Sequence, residues 1–376
     1  MWWIIIAFAA VLLLIAFYLF KFVKRSFVTF GAPTDKKWVK VIITLTALAL
    51  TAWCVDFGGI GVIFVFYVIM IAAILQLANF IIKKVSKERY LNGFSLWKKI
   101  YGSGIIPVAV TVVVLIFGYF NLHNVVETKY TVYTDKNIRK EGYRIALIAD
   151  VHFGVSLDYD EVLEKCKEIS MAKPDAVILC GDIVDNSTST EQTKQVFKAF
   201  STIKSKYGIY YTYGNHDRPM SLMKSEFTEK QLLDIIEQNG ITVLKDEIAE
   251  INGELVIAGR DDRSVDRGEK PRASIKDLLK DVDKSKYILT ADHQPNEYSL
   301  NAEAGADLIV SGHTHGGQIF PVNIVQELIS FNDGVYGCYD ITEDTKGIIT
   351  SGFAGWSYPV KTVCPAEYVI IDIKKK

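Results

Sequence analysis

Residues 1–20 carry no charge and are rich in Leu, Ile, Phe and Trp, the length and composition of a helix that crosses a bilayer. A cleaved signal peptide would need basic residues ahead of the apolar run and small residues behind it. Here nothing basic precedes the run, and Lys21, Lys24 and Arg25 follow it. Residues 41–82 are apolar except for Asp56, and a run of that length is too long for one crossing. The stretch Asp56-Phe57-Gly58-Gly59-Ile60-Gly61 reads as a turn, with Asp56 solvated there and Trp53 near the interface. A further apolar stretch, 104–122, ends at His123, to which no role falls. The expectation is a transmembrane anchor over residues 1–123 with four helices, about 2–20, 41–55, 61–82 and 104–122.

Charge tests that parity. Residues 1–122 hold 12 Lys+Arg against 3 Asp+Glu, whereas the remaining chain holds 30 against 40. The cations fall between helices one and two (Lys21, Lys24, Arg25, Lys36, Lys37, Lys40) and between helices three and four (Lys83, Lys84, Lys87, Arg89, Lys98, Lys99). Four crossings place all of them on one side, as the positive-inside rule expects; three would divide them equally. Both termini, and the whole domain after the anchor, are then expected outside the cytoplasm. With 50% hydrophobic residues and a net charge of −1, the chain is neither disordered nor a basic nucleic-acid binder.

After a polar connector over 124–140, short apolar runs alternate with helical patterns across a domain expected at 141–376. Residues 144–149, 176–180 and 209–213 read as strands, with helix faces at Val162, Cys166 and Ile169 and at Val196, Phe197, Phe200 and Ile203 between them. Strands are also expected at 255–259, 287–290, 308–310 and 348–351, with 367–373 as an edge or closing strand. The stretch 260–285 reads as surface loop and short helix; Arg260, Arg263 and Arg267 are either anion contacts or solvated surface. This alternation indicates an α/β layered domain.

Of six histidines, five lie in this domain, each at or just past a predicted strand end. Ligands sit at such ends in α/β folds because loops there vary over a fixed sheet. The series is Asp150-Val151-His152, Gly181-Asp182-Ile183-Val184-Asp185, Gly214-Asn215-His216-Asp217, Asp292-His293 and Gly312-His313-Thr314-His315-Gly316-Gly317. Each motif alone has a bland reading as a cap or turn; five in order on successive strand ends do not. Imidazole with carboxylate suits Zn, Mn, Fe and similar divalent ions. The donors are too many for one tetrahedral site, so two ions are expected, set about 3.5–4 Å apart to clamp a phosphoryl group.

This series resembles the calcineurin-like metallophosphoesterase superfamily over about 143–370, and the anchor with Gly-His-Thr-His-Gly-Gly-Gln-Ile-Phe-Pro resembles its membrane-associated bacterial branch. The resemblance implies a four-layered α/β/β/α sandwich. It implies one metal held by Asp150, His152, Asp182 and His315, and a second held by Asp182, Asn215, His293 and His313. His216 would be the general acid, oriented by Asp185. The implied reaction is hydrolysis of a phosphomonoester, phosphodiester or pyrophosphate by a hydroxide held between the ions. Its substrate would be a phosphorylated small molecule or a lipid-linked or headgroup phosphate at the membrane. Three positions depart from the family pattern: Asn186 stands where many members have Arg, Asp217 where many have Glu, and Lys361 where related proteins tend to place Arg. A non-catalytic, metal-dependent membrane scaffold would instead miss a ligand or the acid, and none is missing. Cys338 and Cys364 could pair in an oxidising compartment, or all five cysteines could be free thiols.

Overall fold

The computed structural model describes residues 2–56, 59–86, 93, 95–218, 226–267 and 271–376. Phe57 and Gly58 of the expected turn, and Lys87 and Arg89 among the anchor's cations, lie outside the described residues. The chain divides into two compact units, Met1–Phe117 and Gly118–Lys376.

In the first unit, helices Trp2–Thr29, Lys37–Trp53 and Ile60–Val85 follow the apolar runs, joined by a short helix Ser95–Ser103 that the apolar pattern did not announce. The first helix continues through Lys21, Lys24 and Arg25 because no Gly or Pro interrupts it before Gly31 and Pro33. Leu19, Phe22 and Val23 pack with Val39, Ile43 and Ala47 and with Val65, Val68 and Ala72 in two adjoining apolar clusters. Asp56 is exposed in a turn, its carbonyl accepting from the Gly59 N–H at 3.1 Å. Three helical segments among the described residues are long and apolar enough to cross a membrane: Ile5–Thr29, Ile60–Val85 and Ile105–His123. That is one fewer than expected. The helix Lys37–Trp53 has 17 residues and spends its first turn on Lys37 and Lys40, so its apolar stretch is short.

The second unit is built on strands β1 (Val126–Thr134), β2 (Tyr143–Ile148), β3 (Ala176–Cys180), β4 (Ile209–Thr212), β5 (Thr242–Val243) and β6 (Glu247–Ile251). They continue as β7 (Leu255–Gly259), β8 (Tyr287–Ala291), β9 (Leu308–Ser311), β10 (Gly337–Asp340), β11 (Lys346–Ile349) and β12 (Glu367–Lys375). One sheet runs β1-β12-β2-β3-β4-β5 and the other β10-β11-β9-β8-β7-β6. Their inner faces pack together: Ile145, Leu147, Ile178 and Ile371 from the first meet Ile257, Leu289, Val310 and Ile348 from the second. On the first sheet's outer face, Ala146, Val177 and Leu179 pack against Val162, Val196 and Leu232 of the helices Tyr159–Met171, Thr190–Phe200 and Glu229–Gln238. The second sheet buries Val256, Ala258 and Ile288 under Ile275 and Leu279. The result is an α/β/β/α sandwich. Each of the three helices over the first sheet starts at a capping box, on Asp158, Ser189 and Thr228, which fixes where the chain leaves each strand-end loop.

Two expectations are corrected. The connector holds strand β1, which lies parallel to β12 at the sheet edge; its alternation of exposed and half-buried residues makes an edge strand read as polar. β12 is therefore internal, between β1 and β2, rather than an edge. All five cysteines are free.

Candidate metal centre

β2, β3 and β4 are parallel neighbours, so the loops at their carboxyl ends lie side by side. β8 and β9 are likewise parallel neighbours in the facing sheet. Backbone bonds stitch these loops together: Val151 and His152 donate to the Asp182 carbonyl at 2.8 and 3.1 Å, and Gly312 donates to the His293 carbonyl at 3.0 Å. Between the sheets, the His313 N–H donates to both oxygens of Asp150 at 2.9 and 3.0 Å.

Two groups of side chains converge there. Asp150, His152 and His315 form one and Asp182, His293 and His313 the other, each offering donor atoms within 4.8 Å of one another. Asp182 joins them: its Oδ2 lies 3.0 Å from His293 Nε2 and 3.8 Å from His152 Nε2. His152 Nε2 is in turn 3.2 Å from His315 Nε2, and His293 Nε2 is 3.9 Å from Asp150 Oδ1. Carbonyls set the imidazole orientation. His293 Nδ1–H donates to the Cys180 carbonyl at 2.8 Å and His315 Nδ1–H to that of Ala354 at 3.3 Å, which turns both Nε2 atoms toward the carboxylates.

The backbone pays no attention to its usual preferences here. Asp150, His152, Asp182, His313 and His315 all adopt positive φ, between 41° and 72°. Left-handed backbone costs an L-residue about 1–2 kcal/mol, and such strain persists where a site over-determines it. Gly214 is the complementary case: a Cβ there would collide with the Asp182 carboxylate and backbone nitrogen, so no other residue fits where the loops after β3 and β4 meet.

Burial and mutual charge set the protonation states. Burial lowers His152 and His313 to about 4, and burial with the neighbouring His152 holds His315 well below the usual imidazole range. Burial pushes Asp150 up to about 7. For Asp182 burial also pushes upward, but the surrounding imidazoles, His293 first, hold its carboxyl well below the ordinary range. His293 moves the opposite way, raised by Asp182 and Asp150 against the burial that would lower it. A divalent ion requires neutral imidazoles and ionised carboxylates of its ligands; His152, His313 and His315 are held neutral, and an ion bound there would displace the protons that Asp150 and His293 favour. His152 Nδ1 and Asn215 Oδ1 are buried atoms without a hydrogen-bond partner among the described residues. This donor set fits divalent metal ions.

The ring of His216, half-buried, stands 5.2 Å from that of His152 and 5.1 Å from that of Trp356, centroid to centroid. Its backbone N–H donates to Asp182 Oδ1 at 2.8 Å. The contacts of Asp185, expected to orient this ring, are with other groups: Asp185 Oδ2 faces His152 Nδ1 at 3.8 Å, and Oδ1 accepts from the Ser187 N–H at 2.7 Å. The tight turn after Asp185, tied by Thr188, aims the carboxylate back along its own strand end. Arg260 is neither an anion contact nor solvated surface. It is buried and paired with Asp292 and Glu297, both at 2.9 Å. Arg263 is exposed, and the side chain of Arg267 lies outside the described residues.

Two residues matter more than their motifs suggest. Asp217 is buried and accepts four backbone N–H bonds, from Asp182 at 2.6 Å, Gly214 at 2.8 Å, Ile183 at 2.9 Å and Val184 at 3.0 Å. Lys361, with no exposed surface, donates to the carbonyls of Ser351, Gly352 and Ala354, the turn whose Gly352 packs against Asp150. Burial lowers its ammonium to about 8. An acid at the end of Gly-Asn-His-Asp was visible in the sequence, but its partners, being main chain, were not.

The profile of the calcineurin-like phosphoesterase family matches residues 143–317. An uncharacterized metallophosphoesterase of Aquifex aeolicus is 31% identical over 66% of this chain and 91% of its own length. One of Campylobacter jejuni is 29% identical over 69% of this chain and 67% of its own. A transmembrane protein with metallophosphoesterase domain from Danio rerio is 22% identical over 84% of this chain and 72% of its own. The chain spans 63% of the length of two Helicobacter pylori relatives. The protein belongs to the calcineurin-like phosphoesterase family.

Proposed function

We propose that the protein is a membrane-anchored hydrolase of phosphate monoesters, diesters or anhydrides whose site holds two divalent ions. The observation that carries this reading is the pair of converging groups, Asp150–His152–His315 and Asp182–His293–His313, with Asp182 between them. Asp150, His152, Asp182 and His315 would hold one ion; Asp182, Asn215, His293 and His313 the other. Ions bound there would neutralise the ester's charge and lower the pKa of an attacking water. His216, half-buried beside His152, would hold a proton toward the leaving oxygen. Asp217 fixes the loop that presents both Asp182 and His216, and Asp185 acts on His152 rather than on the acid.

Lipid-linked phosphate is the substrate class that the anchor favours, because it would confine the site near headgroups. Four crossings, counting Lys37–Trp53 at the lower length limit, keep the cations of 21–40 and 83–99 on the cytoplasmic side and the catalytic domain outside. Cysteine labelling at residues 56–60 and 21–40 of intact cells tests this: outside reactivity at 21–40 contradicts it. The chemistry is tested on purified full-length protein with Mn²⁺ and bis-p-nitrophenyl phosphate. Turnover abolished by Asp182→Asn supports the proposal, and no turnover with any divalent metal overturns it.

A further inference from the structure

The chain leaves the metal centre at His315 through Gly316, Gly317 and Gln318 into the helix Val322–Ile329, whose polarity is inverted. Its half-buried side chains are Asn323 and Gln326, while Val322, Ile324, Val325, Leu328 and Ile329 are exposed. Leu328 is 78% exposed, Ile329 64% and Phe331 68%. A helix packed on a water-soluble domain does the reverse, turning its apolar stripe inward. Contiguous exposed apolar surface of this kind marks a contact with something apolar.

The neighbouring structure says what that is. Phe320, at the base of the helix, donates its N–H to Thr362 Oγ1 at 3.0 Å. The segment around Thr362 is bound to the last turn of Ile105–His123: Lys361 N–H donates to the Gly118 carbonyl at 3.0 Å, and Asn121 Nδ2 donates to the carbonyls of Lys361 and Cys364 at 2.9 and 3.0 Å. That turn carries Tyr119 and Phe120, 50% and 66% exposed. If Ile105–His123 crosses a bilayer, its last turn lies at the lipid–water boundary, and the helix Val322–Ile329 hangs from the same hydrogen-bonded frame. Aromatic residues gather at that level in membrane proteins.

We infer that the exposed face of Val322–Ile329, with Phe320 and Phe331, is a monotopic contact that lies in the bilayer interface and seats the mouth of the metal centre on the membrane. This rests on the reading of Ile105–His123 as a membrane span. Helices of this kind sink about 5–10 Å into the headgroup and acyl boundary. Trp356 couples the contact to the site. Its backbone N–H donates to Gln318 Oε1 at 3.0 Å, and its ring lies beside His216. A phosphate carried on a lipid headgroup would thus reach His216 without leaving the interface.

The test uses full-length protein in phosphatidylcholine nanodiscs, carrying Cys338→Ser and one new cysteine labelled with an environment-sensitive fluorophore. Spectra are read against the same background without the new cysteine. Leu328→Cys is compared with Val113→Cys, within the span, and Lys194→Cys, exposed on the domain. The expected result is a blue shift and loss of most emission at residue 328 with acyl-chain spin labels, a shallow label quenching more than a deep one. Residue 113 is also quenched and residue 194 is not. Quenching at 113 without quenching at 328 overturns the contact and leaves the span intact. Absence of quenching at both overturns the span, and the contact with it. A blue shift at 328 that spin-labelled lipid does not quench means that protein, such as a second copy, covers the face, and this also overturns the inference.

Discussion

Asp217→Asn is the substitution whose effect can be worked furthest. In the native loop two N–H groups point at each carboxylate oxygen: Asp182 and Gly214 at Oδ2, Ile183 and Val184 at Oδ1. An amide must place its NH₂ against one of these pairs, so two buried donors lose their acceptor whichever way it turns. Each buried donor left unpaired costs about 1–3 kcal/mol, roughly 2–6 kcal/mol for the pair. At about 2–4 °C per kcal/mol for a domain of this size, a loss near the middle of that range lowers Tm by roughly 8–16 °C. Because Asp182 is one of the four donors, its carboxylate shifts with the loop, and metal is lost alongside stability. Asp217→Glu keeps the acceptors but forces a methylene into a buried site, costing about 1–3 kcal/mol, and should fall between parent and Asn. Thermal unfolding of the full-length protein in detergent, with metal content measured on the same samples, reads both effects. An Asn variant within about 2 °C of the parent, retaining its metal, would refute the claim that Asp217 builds the loop.

Other outcomes follow from the same geometry. Gly214→Ala drives a Cβ into Asp182 and should yield protein without metal; crystallised or metal-analysed material with normal loading contradicts the packing argument. Lys361→Met strands the carbonyls of Ser351, Gly352 and Ala354, with a stability loss of about 1–3 kcal/mol in denaturant unfolding. It should also weaken metal retention in chelator competition by about 10–100-fold, as loss of an outer support typically does. His216→Ala should keep its metal yet lose about 10²–10⁴-fold in rate on phenyl phosphate, with a smaller loss on p-nitrophenyl phosphate. Equal losses on the two substrates would remove it from the role of acid. Chelation should lower Tm, by the equivalent of about 2.7 kcal/mol if free metal stands near 100 times its dissociation constant; an unchanged melting curve argues against a structural coupling of ions and loops.

Much of the site was legible because metal ligands come from few residue types and α/β folds put them at strand ends. Asp150, His152, Asp182, His293, His313 and His315 stand out in the sequence alone, and they converge in two groups. Relations between loops were not legible. Asp185 seemed free to face His216, yet the turn held by Ser187 and Thr188 points it at His152. Arg260 stood in a polar stretch that reads as surface, but its partners Asp292 and Glu297 come from beyond β8 and bury it. β1 was hidden for the opposite reason: half its side chains face water, so its composition resembles a linker. The helix Val322–Ile329 shows an apolar pattern in sequence that normally means burial, and only the fold reveals which face is turned outward.

The number of ions that the converged carboxylates and imidazoles retain is the most direct measure of a two-metal site. Elemental analysis of purified full-length protein should find two equivalents of divalent transition metal per chain, falling to one or none in Asp182→Asn, whose side chain lies between the groups. A parent protein without bound metal after reconstitution, or an Asp182→Asn variant that keeps both equivalents, would contradict it.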